Sequence, residues 1–127
     1  MSEIKTNKLT GTSTAGSIVV TGEGNSTTTN LQQGLAKAWV LGSSSAALTD
    51  SFNTSSGTDN GTGNYTYTFT SAMTSENFSS HATGAQNGRR YGFSAVRTST
   101  TNNVKFYDDN ELAADCANGS GLHGDLA

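Results

Sequence analysis

Residues Asp59-Asn-Gly-Thr-Gly-Asn-Tyr-Thr-Tyr-Thr-Phe-Thr70 decide the fold class. An Asn-Gly turn signal leads into a run that alternates aromatic and hydroxyl side chains. Tyr65, Tyr67 and Phe69 share one parity, and Asn64, Thr66, Thr68 and Thr70 share the other. Side chains in a strand alternate faces, so one face of this segment is aromatic and the other polar. A helix would scatter the same residues around its axis. The run therefore reads as β, with Asn60-Gly61-Thr62-Gly63 as the turn before it.

Weaker signals of the same kind flank it. Leu35–Leu41 fits a strand because Trp39 and Val40 favour one and Gly34 and Gly42 bound it. Ala46–Asn53 places Ala46, Leu48 and Phe52 on one parity. Thr54–Asp59 is left open, since Gly57 weakens pairing there. Asn77–His81 fits a short strand around Phe78. Asn87-Gly88 repeats the hairpin signal, and Arg90–Thr98 follows with Tyr91, Phe93 and Ala95 on one parity. Asn103–Tyr107 puts Val104 and Phe106 on one face, Lys105 and Tyr107 on the other. Strands of this length and spacing predict an all-β domain, a small antiparallel sandwich or barrel, over residues 31–107.

The ends read differently. Residues 1–30 have one short strand signal, Ser17-Ile-Val-Val-Thr21, and a polar linker at Asn25–Asn30. This stretch is expected to be an extended arm ordered by a neighbour, with Ile4, Lys5, Lys8 and Leu9 as its partner contacts. Residues 108–127 carry five acidic residues and no Lys or Arg. They are expected to form a short acidic helix around Glu111–Cys116 and then a mobile tail.

Composition limits how such a domain can be stabilised. Gly, Ser, Thr and Asn make up about half of the 127 residues, and there is no proline. Leu, Ile, Val and Phe supply roughly 16%, below the roughly 20% at which disorder becomes a live reading. The net charge is only −3, and disorder normally also needs high charge. An aliphatic-poor core predicts that the chain buries surface against copies of itself or a larger partner. Trp39, Phe52, Tyr65, Tyr67 and Phe69 are the expected core and oligomer interface, the aromatic face of the run being shared between them. The threonine face is expected in solvent.

Several functions are disfavoured. The seven basic residues form no stripe of the kind nucleic acid needs. No run is long and apolar enough to span a membrane, and no apolar leader follows Met1, so synthesis in a cytoplasm is expected. Cys116 is the single cysteine, which rules out an intrachain disulfide. There is no Gly-x-Ser-x-Gly elbow, and His81 and His123 lie in Ser/Gly-rich surroundings typical of loops. Neither Asp59-Asn60 nor Asp108-Asp109-Asn110-Glu111 has calcium-loop spacing. Arg89 and Arg90 beside Tyr91 read as a solvated hairpin tip. No enzyme, metal or cofactor is expected.

Leu35-Ala-Lys-Ala-Trp-Val40, Asp50-Ser-Phe-Asn-Thr-Ser-Ser56 and Thr58–Thr70 together resemble a small β module. That module recurs in structural and tail-fibre proteins of tailed bacteriophages, especially marine ones. Met1-Ser-Glu-Ile-Lys-Thr-Asn-Lys-Leu9 is similar to the starts of such proteins. The resemblance covers residues 1–9 and about 35–73. It departs at Thr54 and Gly57, where the module has apolar residues, and it ends at Met73. It implies a non-enzymatic virion protein that assembles as a trimer. A fibre needs a shaft, and no heptads or shaft repeat are present. A capsid decoration (cement) protein needs only a compact β body and an arm. The expectation is a homotrimer on the virion surface, bound to the major capsid protein or another virion protein and assembled in the host cytoplasm. The alternative is a tail-fibre component that binds a host receptor or glycan.

Overall fold

The computed structural model describes residues 3–12, 18–22, 28–85 and 90–126. Among these, Met1–Leu35 and Ala36–Ala127 form two separate units. The first holds β1 (Val19–Thr21), β2 (Thr28–Asn30) and a single helical turn, α1 (Leu31–Gly34). The second holds β3 (Ala38–Gly42), β4 (Leu48–Phe52), β5 (Thr54–Asp59) and β6 (Asn64–Phe69). It continues with β7 (Ser79–Ala85), β8 (Tyr91–Arg97), β9 (Thr101–Tyr107) and β10 (Ala117–His123).

In the first unit β1 and β2 pair antiparallel, Val20 opposite Thr29. Thr28–Asn30 is thus a strand where a linker was expected. Both valines of β1 are about half exposed, as a two-stranded ribbon has only one neighbour to pack on. The remainder of that linker, Asn25–Thr27, lies outside the described residues, as do Asn87, Gly88 and Arg89.

The second unit is one antiparallel sheet in the order β4-β3-β10-β7-β8-β9-β6-β5. Its two edge strands, β4 and β5, meet at Asn53, so the sheet is a nearly closed barrel. Asn53 turns the corner with φ 54, and its side chain ties the seam. Its amide donates to the carbonyls of Lys37 (3.0 Å) and Ser71 (3.1 Å), and its Oδ1 accepts from the Ser71 N–H (2.7 Å).

Eight strands enclose a space just wide enough for side chains to fill. Here aromatics fill it. Tyr65, Tyr67 and Phe106 are fully buried in one cluster with Val40, Ala46, Val104 and Cys116. Phe69, Met73, Phe78, Ala38 and Leu122 form a second cluster. Asn102, 1% exposed, lies among hydroxyls inside the barrel. Its Nδ2 donates to Ser80 Oγ (3.0 Å) and Ser120 Oγ (3.2 Å), and its Oδ1 accepts from Ser94 Oγ. Buried polar groups are tolerated when their partners are all present, as they are in this network.

Glycines make room for the rings. A Cβ on Gly42 would strike the Tyr67 ring, and one on Gly92 would strike Phe106. A Cβ on Gly57 would strike the Ala46 carbonyl. Gly57 therefore does not weaken β5. It lets β5 pair with β6, Gly57 opposite Tyr67, where the Ala46 carbonyl and then the edge of the Tyr67 ring occupy the space a side chain would need. This answers the aliphatic-poor composition: large rings against glycine give a packed interior without many Leu or Ile.

Tyr65, Tyr67 and Phe69 are 0%, 1% and 6% exposed, so the barrel alone consumes the aromatic face. No part of it is left to share with a second copy, contrary to expectation. Trp39 and Phe52, expected in the core or at an oligomer interface, are not in the core and lie on the outside. Ala38, Val40 and Gly42 take the inward positions of β3, and Trp39 faces out opposite Phe52. The parity reading failed at Phe52 because Gly42 pairs with Leu48 and Leu41 with Asp50. That slip leaves Thr49 as an extra residue, so Leu48 faces in and Phe52 faces out.

The largest correction is at the C-terminus. Ala117–His123 is neither helix nor mobile tail but β10, paired with β3 on one side and β7 on the other. Residues 108–113 form a tight turn, in which Asp108 Oδ1 accepts from the N–H groups of Asn110 (2.9 Å) and Leu112 (3.0 Å).

The buried tyrosines link stability to pH. The Tyr65 hydroxyl is placed to donate to the Ser44 carbonyl or Asp115 Oδ1, and accepts from the Cys116 N–H. Burial, with the Asp115 charge adding to it and the Cys116 N–H opposing it, pushes the Tyr65 hydroxyl from 10.0 up to about 12. Burial also raises Tyr67. The folded state holds these protons where the unfolded chain has lost them. The contribution to stability is therefore complete below pH 10 and is lost as pH rises through about 12. Thermal melts across that window should show a falling Tm, and Tyr65→Phe should make the fall shallower. An equally steep fall in the variant would exclude Tyr65 as its source.

Candidate functional site

Among the described residues the interior offers no reactive group to solvent. Cys116 is fully buried, and burial, opposed by Arg90, raises its thiol pKa, so it is a packing residue. His81 and His123 stack on the outer face, ring centroids 6.2 Å apart, with His81 lying over Gly121. Among the described residues no three His, Cys, Asp or Glu side chains converge as metal ligands. No helix among them is long and apolar enough to cross a membrane. Asp59 Oδ1 accepts from the Gly61 N–H (2.9 Å), which is turn formation.

Among the described residues, two faces of the outer surface are candidate sites. On β3 and β4, Trp39, Leu41 and Phe52 share the outer face, with Leu41 and Phe52 about half exposed. Asp50 lies opposite Leu41. Three large apolar side chains side by side beside a sheet edge are a feature that marks a contact surface.

The second face spans β8, β9 and β6. Burial alternates strictly along β9, so Asn102, Val104 and Phe106 point in and Thr101, Asn103, Lys105 and Tyr107 point out. Tyr91 pairs with Tyr107 and Phe93 with Lys105. The Tyr107 ring lies 5.7 Å from that of Tyr91 and 5.9 Å from that of Phe93, at interplanar angles of 18° and 3°. Tyr91 and Phe93 stay 48% and 45% exposed. Beyond the rings the strand bulges between Ser94 and Val96. The bulge turns Val96 outward and lets Arg97 reach the Phe78 carbonyl with Nη1 (3.0 Å).

Past Lys105 lies a shallow depression of about 440 Å³, lined by Asn60, Asn64, Thr66, Asn103 and Val96 among others. Its amides are held by one another. Asn103 Nδ2 donates to Asn64 Oδ1 (2.8 Å), Thr66 Oγ1 (3.0 Å) and the Tyr65 carbonyl (3.1 Å). Asn60 Nδ2 donates to Thr66 Oγ1 (2.8 Å).

Of the residues expected to bind partners, Ile4 and Leu9 are 89% and 62% exposed, and Lys5 pairs with Glu3 at 3.3 Å. Lys8 is exposed too, and its backbone N–H donates to Thr6 Oγ1 (3.3 Å) in a local turn. Trp39 and Phe52 sit together in the first outer patch. The second face was visible only as strand parity: Tyr91 with Phe93, and Lys105 with Tyr107. What would have pointed outward was the other parity, where Gly92 and Ser94 are too small to fill a barrel themselves. No protein-family model matches this sequence, and no curated protein and no solved structure matches it.

Proposed function

We propose that this chain is a non-enzymatic structural protein of a tailed-bacteriophage particle. In this reading it is a capsid decoration protein, bound to the outer head shell as a trimer. The observation that carries it is the outward Trp39, Leu41 and Phe52 patch on a barrel already filled by its own aromatics. A filled barrel gains nothing more from its inside, so further burial has to come from outer surface. Burying two or three large apolar side chains against a neighbour contributes about 1.5–3 kcal/mol each. Cementing a shell needs contact area and no chemistry. Exposed Ile4 and Leu9 suit a second contact with the shell.

Copy number in purified particles tests the location. Hundreds of copies support decoration, and a few tens or fewer support a fibre. Trp39→Glu with Phe52→Glu should convert the trimer to a folded monomer in sedimentation velocity. Deleting Met1–Thr10 should abolish head binding and leave the oligomer intact. A deletion variant that still saturates heads would overturn the arm.

A tail-fibre component is the second reading. The exposed rings of Tyr91 and Phe93 favour it, because aromatic platforms suit receptor contact.

A further inference from the structure

Three properties of the outer face of β8, β9 and β6 occur in one row. At one end the rings of Tyr91, Tyr107 and Phe93 are nearly parallel. Rings held against one another need no reordering to receive a ligand, so little side-chain entropy opposes binding. At the other end is the amide rack of Asn103, Asn64 and Thr66. Its mutual bonds fix the geometry and leave specific valences open. Among the described residues no donor reaches Asn103 Oδ1, and no acceptor takes the protons of Asn64 Nδ2. Thr66 Oγ1 accepts from two amides and donates to no group among the described residues. Between the two ends stands Lys105, opposite Phe93 on one side and Asn64 on the other. It forms no ion pair among the described residues.

We propose that this face binds an acidic carbohydrate chain, with a sugar ring on the aromatic ladder, its carboxylate on Lys105 and hydroxyls on the amide rack. The row fits the three parts of such a ligand. Sugar C–H faces pack on aromatic rings. Vicinal hydroxyls need adjacent donors and acceptors, which Asn64, Thr66 and Asn103 supply together. The unpaired ammonium of Lys105 selects a ligand that carries negative charge. Asn103 to Tyr107 spans about 13 Å of strand, enough for a short oligosaccharide. The depression is lined by amide and hydroxyl residues together with Val96 and Lys105, groups that can bond a sugar's hydroxyls and pack on its C–H faces. The inference rests on the fibre reading for the source of the ligand, and copy number in particles tests that reading separately from the site.

The test is titration calorimetry of the full chain with a panel of carboxylated oligosaccharides: oligogalacturonate, hyaluronan fragments and sialyllactose. Maltohexaose is the neutral control. Binding to at least one acidic member, weaker at high salt, is expected. Phe93→Ser should weaken it about tenfold or more, and Lys105→Gln should remove the preference over the neutral control. His123→Ser, on the outer face of β10 away from both patches, should leave it unchanged. Circular dichroism checks that each variant is folded. No binding by any member, or binding indifferent to Phe93→Ser, overturns the proposal. Equal binding of maltohexaose overturns the acidic assignment. If Phe93→Ser instead reduces the oligomer, the face is a contact between copies and the proposal fails.

Discussion

A chain stopped after Cys116 should have no cooperative unfolding transition. The deletion removes β10, which pairs with β3 over Asn118–Leu122 and with β7 over Ala117–His123. Without it no ladder joins the β3–β4 hairpin to β7, only the Asn53 corner still links it to β5, and the barrel becomes two open sheets. The side chains lost are inward ones. Leu122 is 2% exposed in the second apolar cluster, and losing such a group costs about 2–5 kcal/mol. Asn118 accepts from the buried Tyr67 hydroxyl (2.7 Å), and Ser120 accepts from Asn102. Each polar group left unpaired costs about 1–3 kcal/mol more. These losses alone approach the roughly 5–15 kcal/mol that holds a small domain folded, before any ladder hydrogen bond is counted. Deleting Met1–Leu35 should leave a folded domain, because Ala36–Ala127 has its own core. Thermal melts of the two truncations check both. A sigmoidal melt near the full-length Tm after loss of β10 would show that the strand is dispensable.

Some of this architecture could be read from residue order, and the failures have physical causes. The runs in β6 and β9 alternate large with polar, so their strands and inward faces were legible. Ala117-Asn-Gly-Ser-Gly-Leu-His123 has no β-branched or aromatic residue, and nothing local marks it as a strand. It is held by partners on both sides, which no local pattern encodes. Phe52 and Val96 were misplaced or missed because one extra residue at a bulge reverses parity, and bulges have weak sequence signals. Two aromatic rows, Tyr65-Tyr67-Phe69 and Tyr91-Phe93, looked alike. What separates them is the volume on the opposite parity. Thr66 and Thr68 are of a size for solvent, whereas Gly92 and Ser94 are small enough to face a filled barrel. The site followed the same logic: its residues were visible, but their side of the sheet was not.

Gly92 makes that logic measurable. In an open strand, replacing glycine with alanine stabilises, since glycine costs about 0.5–1 kcal/mol of backbone entropy. Here the sign should reverse. A Cβ at Gly92 would meet several atoms of the Phe106 ring, with Cδ1 at 2.6 Å and Cζ at 2.9 Å. Phe106 is fully buried and packs against Tyr65, 6.0 Å between centroids, so the ring has little room to retreat. Gly92→Ala should destabilise by about 1–3 kcal/mol, and Gly92→Val should reach or exceed the upper end of that range. Pairing Gly92→Ala with Phe106→Leu tests the cause, because shortening the ring relieves the clash. The double variant should be more stable than the sum of the singles by about 0.5–3 kcal/mol, as expected for directly contacting residues. Denaturant melts of the three variants supply the cycle. Strict additivity, or a stabilising Gly92→Ala, would mean that Gly92 is not the space in which Phe106 sits. The aromatic filling of the barrel would then need another explanation.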